Sequence, residues 1–338
     1  MTLQEKIKVL VSLGAYLLQY DERLQAHVHR ASIDNPWFTL ENIRYALNEI
    51  AGRMLNENAL LQWTKSLKTS DKLRRVGVIM AGNIPVVGFH DLLCVFMSGN
   101  ISVIKLSEKD KYLIPFMIKI LEELDPRTSR YFEIVDKLTD IDAVIATGSN
   151  NSARYFEYYF AKYPHIIRRN RNAVAILDGK ESDDELSGLC DDIFIYFGLG
   201  CRSVSHCFVP AGYDFTRLIE QMKRYEPLSN HNKYRNNLDY NMALQMLNKI
   251  PHIAVPNLIL LENATLISPV GCLYYSFYQN KESLYKQLQL QCTEIQCVVT
   301  NHDVSGLPCI RFGKAQQPAL DDYADGIDTL AFLQNLNS

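Results

Sequence analysis

The sequence predicts an α/β protein in which a helical segment precedes two successive units of strands and helices. From Arg75 onward, runs rich in β-branched residues at 76–80 and 101–106 alternate with helical stretches at 85–97 and 111–124. Strand, helix, strand, helix order is typical of a parallel sheet that is covered by helices. The second half of the chain continues this alternation without an internal repeat or a linker, which predicts another α/β unit.

The composition is that of a globular protein. Of the 338 residues, 47% are hydrophobic and 22% are charged, and the formal net charge is -3. That balance gives no electrostatic reason to expect nucleic acid or a membrane surface as the partner. The first residues lack the pattern of a signal peptide, and no apolar run approaches the ~18 residues of a membrane span. We therefore expect a cytoplasmic protein.

The first part of the chain, residues 1–74, is predicted to be helical because its leucines and isoleucines recur at helical spacing. The segment 35–39, Asn-Pro-Trp-Phe-Thr, interrupts this pattern. Pro36 disfavours a helical conformation at the residue before it, and Thr39 is a candidate cap for the helix that follows. No chemistry is evident in this segment.

Cys201 is the candidate nucleophile. It follows the glycine-rich stretch Tyr-Phe-Gly-Leu-Gly at 196–200 and precedes a predicted strand at 204–210. A flexible turn of this kind can present a reactive side chain. The alternative is a buried cysteine that fills space, since a thiol becomes a nucleophile only where its surroundings favour the thiolate. The spacing of the eight cysteines favours reduced thiols over disulfides and predicts no metal site.

A second candidate site is the turn Thr-Gly-Ser at 147–149. It follows a predicted strand at 143–146, and a helix is predicted to begin directly after it. Such a turn can hold phosphate, because the free amides and the dipole of the helix N-terminus both favour anions. A plain capped turn is the alternative, since a single glycine does not make the full dinucleotide pattern. The basic run 168–171 is interpreted as a solvated edge.

Four short motifs, taken together, resemble the aldehyde dehydrogenase superfamily and, within it, the acyl-CoA reductase (LuxC-like) family. They are Gly-Asn-Ile-Pro at 82–85, Val-Ile-Lys-Leu-Ser-Glu at 103–108, Thr-Gly-Ser at 147–149 and Gly-Leu-Gly-Cys at 198–201. Each motif is common alone, but their order and spacing are far more specific. The segments 35–39 and 323–329 resemble the acyl-CoA reductase branch in particular.

The resemblance implies an aldehyde-dehydrogenase-like fold with three parts. These are a helical N-terminal segment at 1–74, a Rossmann-type cofactor-binding domain at 75–176 and an α/β catalytic domain at 177–338. The C-terminal tail is expected to pack back on the first domain.

The implied activity is the NAD(P)H-dependent reduction of a fatty acyl-CoA thioester to the aldehyde. The resemblance assigns Cys201 as the nucleophile that carries the acyl group. It assigns the side-chain amide of Asn83, with the backbone amide of Cys201, as the donors that stabilise the oxyanion. No metal is required. Both a homo-oligomer and an acyl-transfer partner protein stay open.

For the cofactor, the resemblance places Lys105 and Glu108 at the adenosine ribose and Gly148 with Ser149 near the pyrophosphate. Lys105 suits a 2′-phosphate, whereas the carboxylate of Glu108 suits a free 2′-hydroxyl. We expect NADPH, which the acyl-CoA reductase branch commonly uses, with NADH as the alternative.

One departure from the superfamily bears on the direction of the reaction. Oxidative members carry Glu-Leu-Gly-Gly-Lys, whose glutamate activates water. Here the run 176–180 is aligned with it, which puts Ile176 at the base position and favours reduction, because isoleucine cannot accept a proton. A shift of two residues would instead bring Asp178 there. Two other functions stay open: oxidation of aldehydes, and a catalytically idle partner subunit of an acyl-transfer complex.

The three polar or thiol residues near these motifs are predicted to be structural. His206 and Cys207 follow the candidate nucleophile on the predicted strand, and His90 lies on the predicted helix after residue 85. Strand alternation turns either His206 or Cys207 away from any one face. Partly buried histidines that pack or cap are also ordinary in proteins.

Overall fold

A computed structural model describes residues 1–67 and 72–336. The chain forms two compact units, Met1–Asn170 with Ala319–Ser338, and Arg171–Pro318. Residues 68–71 of the predicted helical segment and residues 337–338 of the predicted catalytic domain lie outside the described residues. No helix in the described part of the chain is long and apolar enough to cross a bilayer.

The first unit begins with four helices, in agreement with the sequence. They are α1 Leu3–Gln19, α2 Glu22–Asp34, α3 Leu40–Glu49 and α4 Glu57–Trp63, with a π-helical turn at Ile50–Met54 after α3. Each helix has an N-cap residue whose side chain accepts a hydrogen bond from a backbone amide of the first turn. These residues are Thr2, Asp21, Thr39 and Asn56. These caps satisfy amides that the first turn of a helix leaves unpaired. The predicted cap at Thr39 is therefore confirmed.

The first unit also contains a five-stranded parallel sheet. Its strands are β1 Arg75–Ile79, β2 Ile101–Lys105, β3 Phe132–Ile134, β4 Ala143–Thr147 and β5 His165–Arg168. The order across the sheet is β3-β2-β1-β4-β5, which is the strand order of dinucleotide-binding folds. The covering helices are α5 Phe89–Ser98, α6 Leu113–Leu124, α7 Asn150–Phe160 and, from the C-terminal tail, α12 Thr329–Asn335, with 3-10 turns at Pro126–Tyr131 and Ala324–Gly326.

The second unit is built on a seven-stranded sheet of order β12-β11-β6-β7-β10-β9-β8. Its strands are β6 Asn172–Ile176, β7 Val204–Pro210, β8 Ile253–Val255, β9 Leu258–Glu262, β10 Cys272–Tyr278, β11 Ile295–Val299 and β12 Cys309–Ile310. All neighbours are parallel except β8 and β9. The helices are α8 Asp183–Phe194, α9 Thr216–Met222, α10 Asn232–Leu247 and α11 Lys281–Leu290, with 3-10 turns at Ile195–Gly198 and Lys223–Asn230.

The predicted α/β class, with a Rossmann-type sheet behind a helical N-terminus, is thus confirmed. The predicted domain limits stay a prediction, although β6, the end of the predicted cofactor-binding domain, pairs within the second sheet. The 3-10 helix Lys223–Asn230 continues through Pro227. A short helix of this type tolerates proline where α9 has already ended.

The aromatic residues of α7 are divided between the core and the solvent. Phe156 and Phe160 pack on the core of the first sheet. Tyr155 and Tyr159 are 66% and 67% exposed, so they lie on the solvent side of the helix. An α-helix has about 3.6 residues per turn, so neighbouring residues in the sequence point in directions about 100° apart.

Candidate active site

Five of the predicted site residues lie at one edge of the first sheet. Asn83 follows β1, Lys105 ends β2 and Glu108 follows it, while Gly148 and Ser149 follow β4. Strands β2, β1 and β4 are parallel neighbours, so their carboxyl ends lie side by side. The strand order reverses between β1 and β4, and open α/β sheets bind ligands at such a switch point.

The turn after β4 is shaped by two close contacts. A Cβ atom on Gly148 would lie 2.8 Å from Cε2 of Phe156 and 2.9 Å from Cβ of Ser152, so a larger residue would clash with α7. Ser149 caps α7, because its hydroxyl oxygen accepts a hydrogen bond from the amide of Ser152 at 3.2 Å. The side chain of Ser149 is therefore occupied in capping α7. An anion bound here would accept hydrogen bonds from the backbone amides in the first turn of that helix.

The two predicted ribose residues differ in exposure. Lys105 is half-buried at the end of β2, and Glu108 is exposed in the loop that follows. The backbone carbonyl of Lys105 accepts from the amide of Met80 at 3.1 Å, which joins this loop to the one that carries Asn83. Asn83 itself is half-buried.

In the second unit, a strained turn leads to Cys201. Tyr196, Phe197 and Gly198 have consecutive φ values of 57°, 59° and 73°. Left-handed conformations are unfavourable for tyrosine and phenylalanine, and such strain is concentrated at functional sites. Both aromatic rings are buried, which offsets the strain by packing. The sequence predicted a flexible glycine turn here, whereas the structure shows a bend that is fixed by its aromatic residues.

Two hydrogen bonds hold Cys201 between this bend and β7. The amide of Gly200 donates to Oγ of Ser203 at 3.2 Å, and the amide of Ser203 donates to the carbonyl of Gly200 at 3.0 Å. The amide group of Gln316 also donates to Oγ of Ser203 at 3.3 Å. Cys201 is half-buried, and Arg202 beside it is 8% exposed. Local sequence could not reveal Gln316, which lies 113 residues away from its partner.

Five other cysteines are poor candidates for a nucleophile. Burial raises the pKa of the thiols of Cys190 and Cys272 to about 12, and it raises those of Cys94, Cys207 and Cys309 above their usual value. A thiol with a raised pKa is protonated at neutral pH and does not attack carbonyl carbon. These residues therefore act as small hydrophobic side chains.

The alignment that put Ile176 at the position of a catalytic base is wrong. In the paired strands Ala173 lies opposite Val204, and Ile176 lies opposite Phe208. Cys201 precedes the first residue of β7, whereas Ile176 is four residues beyond it, roughly 13 Å along the strand. Ile176 is buried in the core of the second unit. Its identity therefore says nothing about the direction of the reaction.

Asp178 belongs to a charged cluster at that same far edge. Its Oδ2 lies 3.1 Å from Nε2 of His302 and 3.4 Å from Nζ of Lys281, and these two nitrogens are 2.9 Å apart. Burial alone would raise the pKa of Asp178, but hydrogen bonds from the amide of Lys180 and from His302 and Lys281 lower it overall. The alternative alignment, with Asp178 as the base beside Cys201, is therefore also wrong.

His206 is structural, as predicted. Its Nδ1 lies 2.8 Å from the carbonyl of Thr265, and its Nε2 lies 2.7 Å from Oγ of Ser276. Burial lowers the pKa of His206 to about 4, so the ring is neutral, with Nδ1–H donating to the carbonyl and Nε2 accepting from the hydroxyl. These two contacts link β7 to Thr265 and to Ser276 on β10.

His90 and the motif 323–329 also have structural roles, inside the first unit. Nε2 of His90 lies 2.9 Å from the carbonyl of Leu320, and its ring packs against Tyr323. The hydroxyl of Tyr323 accepts a hydrogen bond from the indole of Trp63 at 2.8 Å. These contacts fasten the C-terminal tail to the helix that follows the loop of Asn83.

The interpretation of the basic run 168–171 as a solvated edge is wrong for Arg168. Its side chain is buried, with Nη1 2.5 Å from Oδ2 of Asp91 and Nη2 2.8 Å from the hydroxyl of Thr329. Arg169 is exposed and pairs with Glu157, as a solvated edge would. The buried pair joins β5, α5 and α12.

The fold is similar to that of solved aldehyde dehydrogenases. One is aldehyde dehydrogenase 21 from Physcomitrella patens, in complex with the reaction product succinate. The match covers 100% of this chain and 85% of that enzyme, with a TM-score of 0.73 and 11% identity. The match to the NAD-dependent aldehyde dehydrogenase from Sinorhizobium meliloti covers 89% of this chain and 70% of that enzyme, with a TM-score of 0.67 and 13% identity. The match to an NAD+ complex of aldehyde dehydrogenase from Bacillus cereus covers 89% of this chain and 72% of that enzyme, with a TM-score of 0.63 and 14% identity. These similarities establish an aldehyde-dehydrogenase-like fold.

The family is identified by sequence. The profile of the acyl-CoA reductase (LuxC) family matches residues 19–228, more than half of the chain. The protein therefore belongs to this family, and the resemblance inferred from its motifs is confirmed. A search of curated proteins gave no match. Family and fold together define an aldehyde-related oxidoreductase.

Proposed function

We propose that this protein reduces an acyl-CoA thioester to the aldehyde with NAD(P)H, through an acyl group carried on Cys201. One observation carries the proposal: Cys201 lies half-buried in a strained, hydrogen-bonded turn within the region that matches the acyl-CoA reductase family. The buried thiols with raised pKa values do not compete with it.

The first step is acyl transfer. The thiolate of Cys201 attacks the thioester carbonyl, a carbon–sulfur bond forms, and the carbonyl oxygen becomes an oxyanion. The backbone amide of Cys201 and the side-chain amide of Asn83 donate hydrogen bonds to that oxygen. The bond to coenzyme A then breaks, and its sulfur leaves as the thiolate. The number of thioester bonds is unchanged, so this step needs no oxidant or reductant.

The residues at the edge of the first sheet fit a nicotinamide dinucleotide. The switch point between β1 and β4 has a helix N-terminus at Ser149 for the pyrophosphate, and a cation and a carboxylate at Lys105 and Glu108 for the ribose end. When bound, the reduced nicotinamide supplies the hydride that the acyl group requires. We propose NADPH, on the strength of Lys105, and NADH as the alternative that Glu108 would favour.

In the second half of the cycle, the protein stabilises negative charge on the acyl oxygen and then releases the aldehyde. Asn83 and the backbone amide of Cys201 stabilise negative charge on the same oxygen until the carbon–sulfur bond to Cys201 breaks. The aldehyde is released at that point, and the thiolate is regenerated. The family match supports the reductive direction. Ile176 does not bear on it, because its register with Phe208 places it far from Cys201.

Mass spectrometry of the intact protein tests the proposal. The protein is incubated without cofactor and with acyl-CoA of several chain lengths. We expect one acyl group to be added, and none in the Cys201→Ala variant. Cys292 is exposed in the same unit, so Cys292→Ala is the matched control and should still be acylated.

Turnover assays then fix the direction. We expect aldehyde from acyl-CoA with NADPH or NADH, and no carboxylic acid from aldehyde in the absence of coenzyme A. Acid formation without coenzyme A would show an oxidative aldehyde dehydrogenase instead. Aldehyde production that persists in Cys201→Ala would show that another protein does the chemistry and that this chain is an idle partner.

A further inference from the structure

The loop that carries Asn83 contains a backbone conformation that must be held in place. Val86 has a φ of 51° and is 2% exposed. A β-branched residue rarely adopts a left-handed conformation, because its side chain then crowds the backbone. Conformations of this kind persist only where surrounding contacts impose them. The contacts of Val86 therefore determine the path of the loop immediately after Asn83.

Asp110 supplies one of these contacts. Its Oδ2 accepts a hydrogen bond from the amide of Val86 at 2.8 Å, and the residue is 5% exposed. Burial raises the pKa of Asp110 to about 6, while hydrogen bonds from the amides of Val86 and Leu113 oppose that rise. The group is therefore a carboxylate at neutral pH. A buried carboxylate depends strongly on the amides that face it, and it orders them in return.

The loop is also fixed before Asn83, by close approach to the loop after β2. A Cβ atom on Gly82 would lie 2.3 Å from Oγ of Ser107 and 2.9 Å from Cβ of Lys109, so this position requires glycine. The loop of Asn83 is thus pressed against residues 107–109 on one side. Asp110, the next residue of the same segment, holds the loop after Asn83 through its hydrogen bond with Val86.

We propose that Asp110 is a positioning residue for Asn83. By accepting the amide of Val86, it holds the loop in the conformation that places the side-chain amide of Asn83 for oxyanion stabilisation. The inference rests on the proposed role of Asn83 in acylation. A displacement of about 1 Å in a group of this kind can slow a reaction by roughly a hundredfold.

The test is a double-mutant cycle on the acylation of Cys201 by acyl-CoA without cofactor, followed by mass spectrometry of the quenched full-length protein. Without cofactor, any effect on the residues at the ribose end does not enter the measured rate. We expect Asn83→Ala to slow acylation by about a hundredfold and Asp110→Ala by about tenfold or more. The double variant should be no slower than Asn83→Ala, because Asp110 acts through Asn83.

A matched control separates positioning from stability. Glu181 is also 5% exposed, and its carboxylate accepts the amides of Asp178 and Gly179 at the edge of the second sheet far from Cys201. Glu181→Ala should lower the melting temperature without slowing acylation. Asp110→Asn keeps one oxygen acceptor for Val86 and should restore part of the rate. It also carries the double-mutant cycle if the alanine variant does not fold.

The outcomes distinguish the inference from the function it rests on. If the effects of the Asp110 and Asn83 substitutions multiply, or if both Asp110 variants acylate at the wild-type rate, Asp110 does not act through Asn83 and the inference fails alone. If Asn83→Ala acylates at the wild-type rate, the proposed oxyanion role fails, and the inference fails with it.

Discussion

The hydroxyl oxygen of Ser203 accepts the amide of Gly200 and thereby closes the turn in which Cys201 lies. This contact spans the candidate nucleophile, with one partner on each side of it. Ser203 is 1% exposed, and it also accepts a hydrogen bond from Gln316. The position of the thiol is thus coupled to a residue from the far end of the second unit.

We expect Ser203→Ala to impair acylation of Cys201. The substitution leaves two buried donors without their acceptor, which costs about 1–3 kcal/mol for each such group. The turn would relax, and the rate of acyl-enzyme formation should fall by roughly tenfold. Ser205→Ala is the control, because Ser205, on β7, donates a buried hydrogen bond to the carbonyl of Leu266 and does not bridge the turn. Equal slowing in both variants would contradict a role for the turn itself.

The buried ion pair in the first unit leads to a prediction about stability. Arg168→Met leaves the carboxylate of Asp91 buried without its cation, and we expect a loss of about 3–5 kcal/mol in the free energy of unfolding. Replacing both residues, with Asp91→Leu and Arg168→Met, should recover most of the loss. Urea unfolding measures both variants.

The neighbouring exposed pair provides the comparison. Arg169→Met removes the pair with Glu157, in which both side chains are largely exposed, and should change the stability little. A similar loss in Arg168→Met and Arg169→Met would mean that burial of Arg168 has no special effect.

Local patterns in the sequence predicted several of the strands and selected the candidate nucleophile. The strand 204–210 was predicted at both ends, because its apolar run is bounded by a turn and a proline. Cys201 could be selected because a glycine turn is visible within a few residues. The same local logic separates Lys105 and Glu108 from the core, since charged residues at strand ends are usually solvated.

Contacts between distant residues could not be predicted in this way. The burial of Arg168 depends on Asp91, 77 residues earlier, so the basic run alone indicated a solvated edge. The position of Ile176 depends on its register with Phe208, which no local pattern fixes. For the same reason Asp110 was not selected, since its partner Val86 lies 24 residues away.

Lys6 leads to a prediction about pH. The residue is 5% exposed, and its ammonium group lies 5.4 Å from the ring centre of Phe96 and 5.0 Å from that of Tyr131. Burial lowers its pKa from 10.5 to about 8. Between these two values Lys6 binds more protons in the unfolded chain than in the folded one, so this residue by itself makes the free energy of unfolding rise with pH, by up to about 3 kcal/mol. The buried thiols with raised pKa values contribute the opposite dependence, so the effect of Lys6 is measured as a difference between variants.

Urea unfolding at pH 7.5, 9 and 10 measures this effect. We expect Lys6→Met to be more stable than the wild type at pH 7.5, and this difference in stability should shrink as the pH rises to 10. Lys8 is exposed on the same helix, so Lys8→Met should retain the wild-type dependence on pH. A difference between Lys6→Met and the wild type that stays constant over this range would show that the pKa of Lys6 is not lowered in the folded state.

The two charges at the end of β2 give a prediction about cofactor choice. In the proposed function, Lys105 attracts a 2′-phosphate, and Glu108 repels it but accepts a hydrogen bond from a 2′-hydroxyl. We expect Lys105→Ala to raise KM for NADPH by roughly tenfold and to change KM for NADH much less. Glu108→Gln should lower KM for NADPH and raise KM for NADH. Steady-state kinetics with both cofactors gives the four ratios, and Lys109→Ala is the control, because Lys109 is an exposed cation of the same loop. If Lys105→Ala and Lys109→Ala change KM for NADPH equally, the effect is one of net charge, and Lys105 does not contact the ribose phosphate.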